Sequence, residues 1–163
     1  MTMEKYTFTY TLYEGSEDTP ADVMSLLNVA AASREGAYAP YSDFLVGAAI
    51  EMQDGTIYTG NNQENAAYPS GLCAERVALF HAGAVCGDKK IKRIAIVGGL
   101  RHSEESSPVA PCGACRQSML EYEERQGEPI EVVFAGVGLS PIYSVHSVKD
   151  LLPFSFGKEN LAG

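Results

Sequence analysis

Two short cysteine-bearing segments constrain this chain more than any other feature of its sequence. The first, at 73–76, reads Cys-Ala-Glu-Arg, and the second, at 111–115, reads Pro-Cys-Gly-Ala-Cys. Each segment opens a stretch in which apolar residues recur with helical spacing, up to about Gly83 and about Arg125 respectively. Any fold for this chain has to position the starts of these two helices, and with them the cysteines.

The cysteines have the spacing of metal ligands. Cys112 and Cys115 are three residues apart, so on a helix their thiols lie on one face, one turn apart. Cys73 supplies a third thiol from the other helix start, where the helix dipole favours thiolates. Zinc prefers such ligands, and a catalytic zinc site uses three of them and leaves a position open for water. The pattern predicts one Zn²⁺ per subunit.

Three side chains beside the cysteines have the chemistry that such a metal centre needs. Glu75 lies in the same first turn as Cys73, so its carboxylate can reach water at the metal without binding the metal, as a general acid and base must. Three thiolates leave the zinc site negatively charged. Arg76 and Arg116 each directly follow a ligand cysteine, and a guanidinium that hydrogen-bonds to sulfur would offset that charge.

Three other interpretations of the cysteines remain open at this point. A Cys-x-x-Cys pair is also typical of redox sites, although redox chemistry needs neither Cys73 nor a glutamate beside it. A closed structural zinc site needs a fourth ligand, for which the candidates, none at a familiar spacing, are Cys86, His81, His102 and His146. The cysteines could also be core thiols that bind no metal.

Strand-like and helix-like patterns alternate along the rest of the chain. Thr19 and Pro20 are a predicted helix cap and first helical residue, and Asp54-Gly55 predicts a hairpin turn. The alternation predicts an α/β layered domain, and the hairpin makes its sheet mixed. The predicted strands cover 6–13, 44–52, 56–60, 92–98, 130–135 and 141–146, and the predicted helices cover 19–35, 73–83 and 112–125, with a short one near Val148.

Length and charge narrow the range of partners. The 163 residues suit one domain with one sizeable core. The 12 Lys+Arg against 21 Asp+Glu give a net charge of −9, which repels phosphate backbones and anionic membranes, so neither is an expected partner. No stretch approaches the roughly 20 apolar residues of a membrane span, and residues 1–13 do not look like a secretory signal. We expect a cytoplasmic protein with reduced cysteines.

The segment at 73–76, followed by Pro-Cys-Gly-Ala-Cys-Arg-Gln at 111–117, resembles the cytidine deaminase family in its small, homotetrameric, three-cysteine branch. The similarity runs over about 29–161, through further segments at 37–44, 46–49, 62–68 and 150–153. It implies a three-layer α-β-α sandwich with a mixed five-stranded core sheet. On this interpretation 19–163 form the catalytic domain, and 1–18 are an extension with an additional strand.

The resemblance also implies roles for the residues at the metal. Cys73, Cys112 and Cys115 match the zinc ligands of the family. Glu75 matches the residue that moves protons between water and the base, and Arg76 matches the guanidinium that tempers the charge of a zinc-bound thiolate. These assignments agree with the chemistry of the residues themselves.

Substrate-binding roles follow from the same resemblance. Asn62 and Glu64 match the pair that holds the ribose 3′-hydroxyl, and an amide and a carboxylate can donate to and accept from such a group. Phe44 matches an aromatic residue that packs on the pyrimidine. The backbone N–H of Ala74, at a helix N-terminus, could hold the base carbonyl. Phe156, with Phe154 two residues away as the alternative, matches an aromatic residue that reaches the active site of a neighbouring subunit in a homotetramer.

The implied activity is the hydrolytic deamination of cytidine and 2′-deoxycytidine to uridine and 2′-deoxyuridine, with release of ammonia, in pyrimidine salvage. A deaminase of a modified cytosine nucleoside, of the blasticidin S type, is an alternative that fits 64–68 less well. A polymer-editing deaminase would need a basic groove with stacking aromatics. A zinc-bearing nucleoside-binding scaffold is the non-enzymatic alternative. The loop 101–108 is longer and more polar than in the family and could narrow or cover the site.

Overall fold

The structure, a computed structural model, describes residues 1–161. In this part of the chain, the structure has six strands and three α-helices, with short 3-10 turns at Tyr68–Ser70, Val148–Leu151 and Lys158–Asn160. The strands are β1 (Tyr10–Tyr13), β2 (Phe44–Met52), β3 (Ile57–Asn61), β4 (Ile91–Leu100), β5 (Glu131–Gly136) and β6 (Ile142–Val145), and the helices are α1 (Ala21–Arg34), α2 (Ala74–Cys86) and α3 (Gly113–Gln126). Over the same range, no helix has the length and apolar character to cross a bilayer.

The strands form one mixed sheet in the order β1-β6-β5-β4-β2-β3. Only β4 and β5 pair in parallel, and every other neighbouring pair is antiparallel. Helix α1 covers one face and helices α2 and α3 cover the other, which confirms the three-layer α-β-α sandwich. The sheet has six strands, the five of the predicted core and β1.

The N-terminal strand is shorter than its sequence pattern predicts. Alternation of β-prone residues extends over 6–13, but β1 covers only Tyr10–Tyr13. Its partner β6 offers four residues, so that Tyr10 pairs with Val145 and Tyr13 with Ile142. A strand can extend only where a neighbour accepts its backbone hydrogen bonds, and residues 6–9 lie beyond the end of β6.

Side chains of the central strands alternate between two cores. On β2, Ala48 and Ile50 pack towards α2 and α3, whereas Ala49 between them packs towards α1. Each fully buried valine, leucine, isoleucine or methionine side chain in these cores stabilises the fold by about 1.5–3 kcal/mol. The largest of those on the α1 side are Val23, Leu26, Leu27 and Ile142, and the largest on the other side are Ile50, Leu79, Ile94, Ile96, Met119, Leu120 and Ile130.

Two glycines let the helices lie directly on the sheet. A Cβ on Gly47 of β2 would lie 2.0 Å from the carbonyl oxygen of Ala30 in α1. A Cβ on Gly60 of β3 would lie 2.4 Å from the backbone nitrogen of Ala78 in α2. Because backbone stands in the way at both places, glycine is required there, and the close contact at Gly60 sets the position of α2.

The start of α1 differs from the expectation. Thr19 does not cap the helix, because its hydroxyl donates a hydrogen bond to the carbonyl of Gly15 at 2.8 Å and closes the preceding turn. Pro20 occupies the N-cap position instead of the first helical position, and the helix begins at Ala21.

A buried carboxylate ties α3 to the segment that follows β6. Glu123 is 4% exposed, and it accepts hydrogen bonds from the backbone N–H groups of Ile130 and Val148, both at 2.8 Å. It also accepts from the hydroxyl of Ser147 at 2.7 Å and from the backbone of Lys149 at 3.3 Å. One side chain therefore joins three separate stretches of chain.

Replacing this carboxylate tests its structural role. In Glu123→Gln, one acceptor oxygen becomes an amide that cannot accept from the N–H groups it faces. We expect the free energy of unfolding to fall by about 1–3 kcal/mol in urea denaturation. Glu121→Gln, at an exposed position of the same helix, is the control, with an expected change below about 0.5 kcal/mol. Equal small changes in both variants would contradict this role.

Candidate active site

Three thiols meet where two helices begin. Cys73 directly precedes α2, Cys112 directly precedes α3, and Cys115 lies in the first turn of α3. The Sγ of Cys112 lies 3.8 Å from that of Cys73 and 3.5 Å from that of Cys115. The three sulfur atoms all lie within 4.8 Å of one another, and within 1–161 this group contains no fourth ligating side chain. A closed four-ligand site is therefore not formed by the described residues.

Sheet topology explains why these helix starts meet. Strands β3 and β4 are both antiparallel to β2, so they run in the same direction and end at the same edge of the sheet. Each is followed by a loop and then by a helix that packs on the same face, α2 after β3 and α3 after β4. The two helices consequently begin near each other, with their partially positive ends at this edge.

The spacing of the sulfur atoms fits zinc. In a tetrahedral site with Zn–S bonds of about 2.3 Å, neighbouring sulfur atoms are about 3.8 Å apart. The observed separations of 3.8 and 3.5 Å match this spacing closely. Three thiolates are also the ligand type that zinc favours over harder ions. Cys73, Cys112 and Cys115 could therefore hold zinc without rearrangement of the backbone.

Electrostatics at the cluster favour an anionic sulfur. The thiol of Cys115 and the guanidinium of Arg76 lower the pKa of Cys73 to about 5, although partial burial opposes this. Interaction with Cys73 and burial both raise the pKa of Cys115. The Nη2 of Arg76 lies 3.9 Å from the Sγ of Cys73, so this guanidinium does contact sulfur as the sequence predicts. Thiolate is the form of cysteine that binds metal.

Arg116 acts differently from the sequence-based expectation. Its Nε donates to the carbonyl of Pro111 at 2.8 Å and its Nη1 donates to the carbonyl of Leu151 at 3.1 Å. The guanidinium joins the backbone of the loop before Cys112 to that of the segment after β6, because both place a carbonyl group beside it. The prediction that Arg116 offsets thiolate charge by a hydrogen bond to sulfur is therefore wrong.

A buried carboxyl lies beside the thiols. Glu75 is the second residue of α2 and is 5% exposed. Burial raises the pKa of its carboxyl, because an apolar environment disfavours the charged form. A carboxyl whose pKa is raised holds a proton more readily than an exposed one, and accepting and returning a proton is what a general acid and base must do. Ala74, which precedes it, is fully buried and opens α2, so its N–H has no partner within the helix.

An open groove of about 310 Å³ leads to the thiols. It brings four of the predicted site residues together, namely Asn62, Glu64, Cys73 and Arg76, and is further lined by Gln63, Asn65, Tyr68, Gly71 and Leu72. Phe44 is half-buried at the start of β2 and is bound to Asn62 through its carbonyl. A surface cavity of about 400 Å³ near Glu123 is larger but contains no cysteine, so size does not identify the site.

Asn62 and Glu64 both hold the wall of the groove in place. The Nδ2 of Asn62 donates to the carbonyl of Phe44 at 2.9 Å, and its Oδ1 accepts from the N–H of Val46 at 2.8 Å. The carboxylate of Glu64 accepts from the hydroxyl of Ser42 at 2.5 Å and from the N–H of Tyr41 at 2.9 Å. These hydrogen bonds lower the pKa of Glu64, and the bond from the hydroxyl of Ser42 has the largest effect.

The two aromatic residues near the C-terminus, Phe154 and Phe156, do not line this groove. Phe154 is 98% exposed and Phe156 is 59% exposed, and neither lines the groove of its own chain. The backbone carbonyl of Phe156 is held by the side-chain amide of Gln117 in α3 at 2.8 Å. Their position leaves both rings available to another molecule.

Sequence reasoning missed two residues that shape the site. Ser42 orients Glu64, and it lies inside the segment 37–44 that carries the family resemblance. Arg34, which is 4% exposed, donates from its guanidinium to the carbonyls of Leu45, Gly99 and Leu100. The signal for Arg34 was an arginine that continues, at helical spacing, the apolar face of α1, but only the fold shows which carbonyls it reaches.

Fold and site together define a class of protein, an α/β sandwich with three convergent cysteines and a buried glutamate at two helix starts. The sequence profile of the family described as "Cytidine and deoxycytidylate deaminase zinc-binding region" matches residues 21–126. A cytidine deaminase from Sporosarcina psychrophila is 39% identical over 149 residues, covering 86% of this chain and 96% of that protein. The chain therefore belongs to the cytidine and deoxycytidylate deaminase family, and zinc is its cofactor.

Solved structures agree with this assignment. The crystal structure of cytidine deaminase from Burkholderia pseudomallei is 45% identical, has a TM-score of 0.70, and covers 82% of this chain and 98% of that chain. The cytidine deaminase from Mycobacterium tuberculosis is 33% identical with a TM-score of 0.65, and covers 85% and 99% respectively. Family membership and the three-cysteine cluster disfavour both a redox pair and metal-free core thiols.

The double bridge made by Asn62 has a measurable structural consequence. Asn62→Ala removes both hydrogen bonds to the start of β2, and we expect the free energy of unfolding to fall by about 1–2 kcal/mol. Asn65→Ala is the matched control, since the Asn65 side chain accepts one exposed hydrogen bond from Ala67, and its expected loss is below about 0.5 kcal/mol. Thermal unfolding of both variants checks this, and indistinguishable midpoints would contradict it.

Proposed function

We propose that this chain hydrolytically deaminates cytidine and 2′-deoxycytidine to uridine and 2′-deoxyuridine, with release of ammonia. The observation that carries the proposal is the convergence of three thiols beside the buried carboxyl of Glu75, at the end of an open groove. The relatives reported above are cytidine deaminases. They do not favour the alternative of a deaminase for a modified cytosine nucleoside.

In this proposal Cys73, Cys112 and Cys115 hold the zinc. Their separations match a tetrahedral site, and Arg76 offsets part of the negative charge of the thiolates. Zinc, when bound, supplies a Lewis acid that lowers the pKa of water towards about 7. The protein contributes the fixed positions of the ligands, since each lies at or next to a helix start.

Glu75 moves the protons of the reaction. It takes a proton from the water that adds to C4 of the cytosine ring and passes this proton to the ring nitrogen N3. The remaining proton of that water goes to the exocyclic amine, which leaves as ammonia. One water is consumed and one ammonia is released, so the carboxyl of Glu75 returns to its initial state. The raised pKa of Glu75 suits both the acceptance and the return of the proton.

The groove and the residues beside it supply groups for the rest of the nucleoside. Asn62 retains one amide hydrogen and one lone pair beyond its two bonds to β2, and Glu64 is already oriented by Ser42, so this pair can hold a ribose hydroxyl. Phe44 offers an aromatic ring to the pyrimidine. The N–H of Ala74 can donate to the base carbonyl at the start of α2.

Charge in the groove favours a nucleoside over a nucleotide. Among the lining residues Arg76 is the only cation, and it is hydrogen-bonded to the sulfur of Cys73. Glu64 places a carboxylate in the same groove, and the chain carries a net charge of −9. A 5′-phosphate would meet repulsion here, so we favour the free nucleosides over deoxycytidylate as substrates.

We further propose a cytoplasmic homotetramer that acts in pyrimidine salvage, with 19–163 as the catalytic domain and 1–18 as an extension. Exposure of the Phe154 and Phe156 rings supports a subunit interface in which Phe156 reaches the neighbouring active site. Ligand cysteines have to stay reduced, which supports a cytoplasmic setting. The net charge of −9 supports the expectation that neither a nucleic-acid polymer nor a membrane is a partner.

Metal content tests the ligand assignment. Cys112→Ala leaves two thiols, and we expect it to lose most of its zinc, measured by mass spectrometry of the metal after gel filtration. Cys86 lies at the end of α2 and donates to the carbonyl of Ala82. Cys86→Ala is therefore the matched control and is expected to keep one zinc per chain. Full zinc occupancy in Cys112→Ala would refute the assignment.

Glu75→Gln separates proton transfer from metal binding. The amide has nearly the same shape as the carboxyl but cannot carry the proton, so we expect kcat to fall by at least about 10²-fold while zinc content is unchanged. Glu121→Gln on the surface of α3 should retain the rate of the unmodified protein. An unimpaired rate in Glu75→Gln would overturn the proposed role.

The function itself is tested by absorbance. Zinc-loaded protein is incubated with cytidine, 2′-deoxycytidine and deoxycytidylate, and loss of the cytosine chromophore is followed. We expect turnover of both nucleosides and at least about tenfold lower kcat/KM for the phosphate. Absence of turnover at full zinc occupancy would reject the proposal, and a modified cytosine nucleoside as the next substrate would then separate the blasticidin S-type alternative from a nucleoside-binding scaffold.

A further inference from the structure

The loop 101–108 is anchored to the sheet at both ends. Near its far end, the hydroxyl of Ser106 donates to the carbonyl of Gly98 at 2.7 Å and accepts from the N–H of Val137 at 2.9 Å. A Cβ on Gly136 would lie 1.7 Å from the carbonyl oxygen of Ser106, so the sheet leaves space for the loop backbone. The loop therefore packs beside the ends of β4 and β5.

The near end of the loop is anchored to the groove wall. The N–H of Arg101 donates to the carbonyl of Asp43 at 3.0 Å, and its Nε donates to the carboxylate of Asp43 at 2.6 Å. The ladder between β2 and β4 ends with the pair Phe44 and Leu100. Arg101 and Asp43 thus form one further pair beyond the last residues of this ladder, at the edge of the sheet where the groove lies.

Asp43 has an unusual backbone conformation. Its φ of +55° lies in the left-handed region, which side chains other than glycine seldom adopt, although aspartate is among those that tolerate it. Its N–H donates to the carbonyl of Ala39 at 3.1 Å. Asp43 is therefore held in this conformation by Ala39 on one side and by both bonds from Arg101 on the other.

The neighbours of Asp43 are the residues that the proposed function assigns to the substrate. Ser42 orients the carboxylate of Glu64, and Phe44 presents its ring beside Gly98, where an added Cβ would lie 3.4 Å from the Cε1 of Phe44. From the buried side, Arg34 already fixes the carbonyl of Leu45. On the exposed side, the pair with Arg101 restrains the turn that separates Ser42 from Phe44.

We propose that Arg101 is a positioning residue, which holds Asp43 in its left-handed turn and thereby sets the relative positions of Phe44 and the Ser42–Glu64 pair for the base and the ribose. This inference rests on the proposed function, because it takes those residues to contact the nucleoside. It also gives the polar loop 101–108 a role in nucleoside affinity, through its first residue. Arg101 itself touches neither the reacting atoms nor the metal ligands.

Steady-state kinetics of four variants test the inference. Arg101→Gln and Asp43→Asn each remove one charge of the pair, and asparagine still tolerates the left-handed turn. We expect KM for cytidine to rise roughly threefold to tenfold in each, with kcat within about twofold, because substrate placement changes while the metal and Glu75 do not. The double variant should be no worse than either single one, and Arg101→Lys should recover most of the loss.

Arg125→Gln is the matched control, since Arg125 is an arginine of α3 that stacks on Tyr122, and its KM should equal that of the unmodified protein. Three outcomes would overturn the inference: an unchanged KM in both single variants, additive losses in the double variant, or a fall in kcat at constant KM.

A second readout keeps the test independent of turnover. Protein labelled with 4-fluorophenylalanine reports Phe44 as the ¹⁹F resonance that Phe44→Leu lacks, and Arg101→Gln should shift or broaden this resonance whereas Arg125→Gln should not. An unmoved resonance would overturn the positioning role. If the unmodified protein did not turn over cytidine, the proposed function would fail, and the resonance would still decide whether Arg101 positions Phe44.

Discussion

The convergence of three sulfur atoms on one point is the constraint on which the rest of the structure depends. The sulfur of Cys112 lies 3.8 and 3.5 Å from those of Cys73 and Cys115, and a metal ion bound between the three matches this spacing and the negative charge of thiolates. The fold brings the three sulfur atoms together because β3 and β4 end at the same edge of the sheet and the helices that follow them begin there. Gly60, which lets α2 lie on β3, is as necessary to this arrangement as the cysteines themselves.

Around this centre, several polar side chains hydrogen-bond to backbone groups and so fix the segments that carry the site residues. Arg116 and Glu123 tie α3 to the C-terminal segment, and Arg34 ties the ends of β2 and β4 together. Asn62 bridges the first residues of β2 on the groove side. The groove is thus formed by loops, but each loop is fastened to the sheet by a polar side chain with identifiable acceptors or donors.

Local patterns predicted much of this, and the misses have physical causes. Strand β2 was predicted at its observed bounds, because a continuous apolar run ended by Asp54-Gly55 has few other solutions. The sequence pointed to the three cysteines and Glu75 because a Cys-x-Glu segment and a Cys-x-x-Cys pair each open a predicted helix, and the structure brings the three thiols together. Helix and strand ends depended on partners that the sequence does not show, such as the short β6 opposite β1 and the turn that engages Thr19. The role of Arg116 was missed for the same reason, since its acceptors come from two distant segments.

X-ray absorption at the zinc edge of the purified, zinc-loaded protein tests the central claim most directly. The geometry of Cys73, Cys112 and Cys115 predicts three sulfur ligands at about 2.3 Å and one lighter ligand at about 2.0 Å. Four sulfur ligands, or a ligand set that contains histidine nitrogen in place of sulfur, would contradict a three-thiolate site with one position left for water.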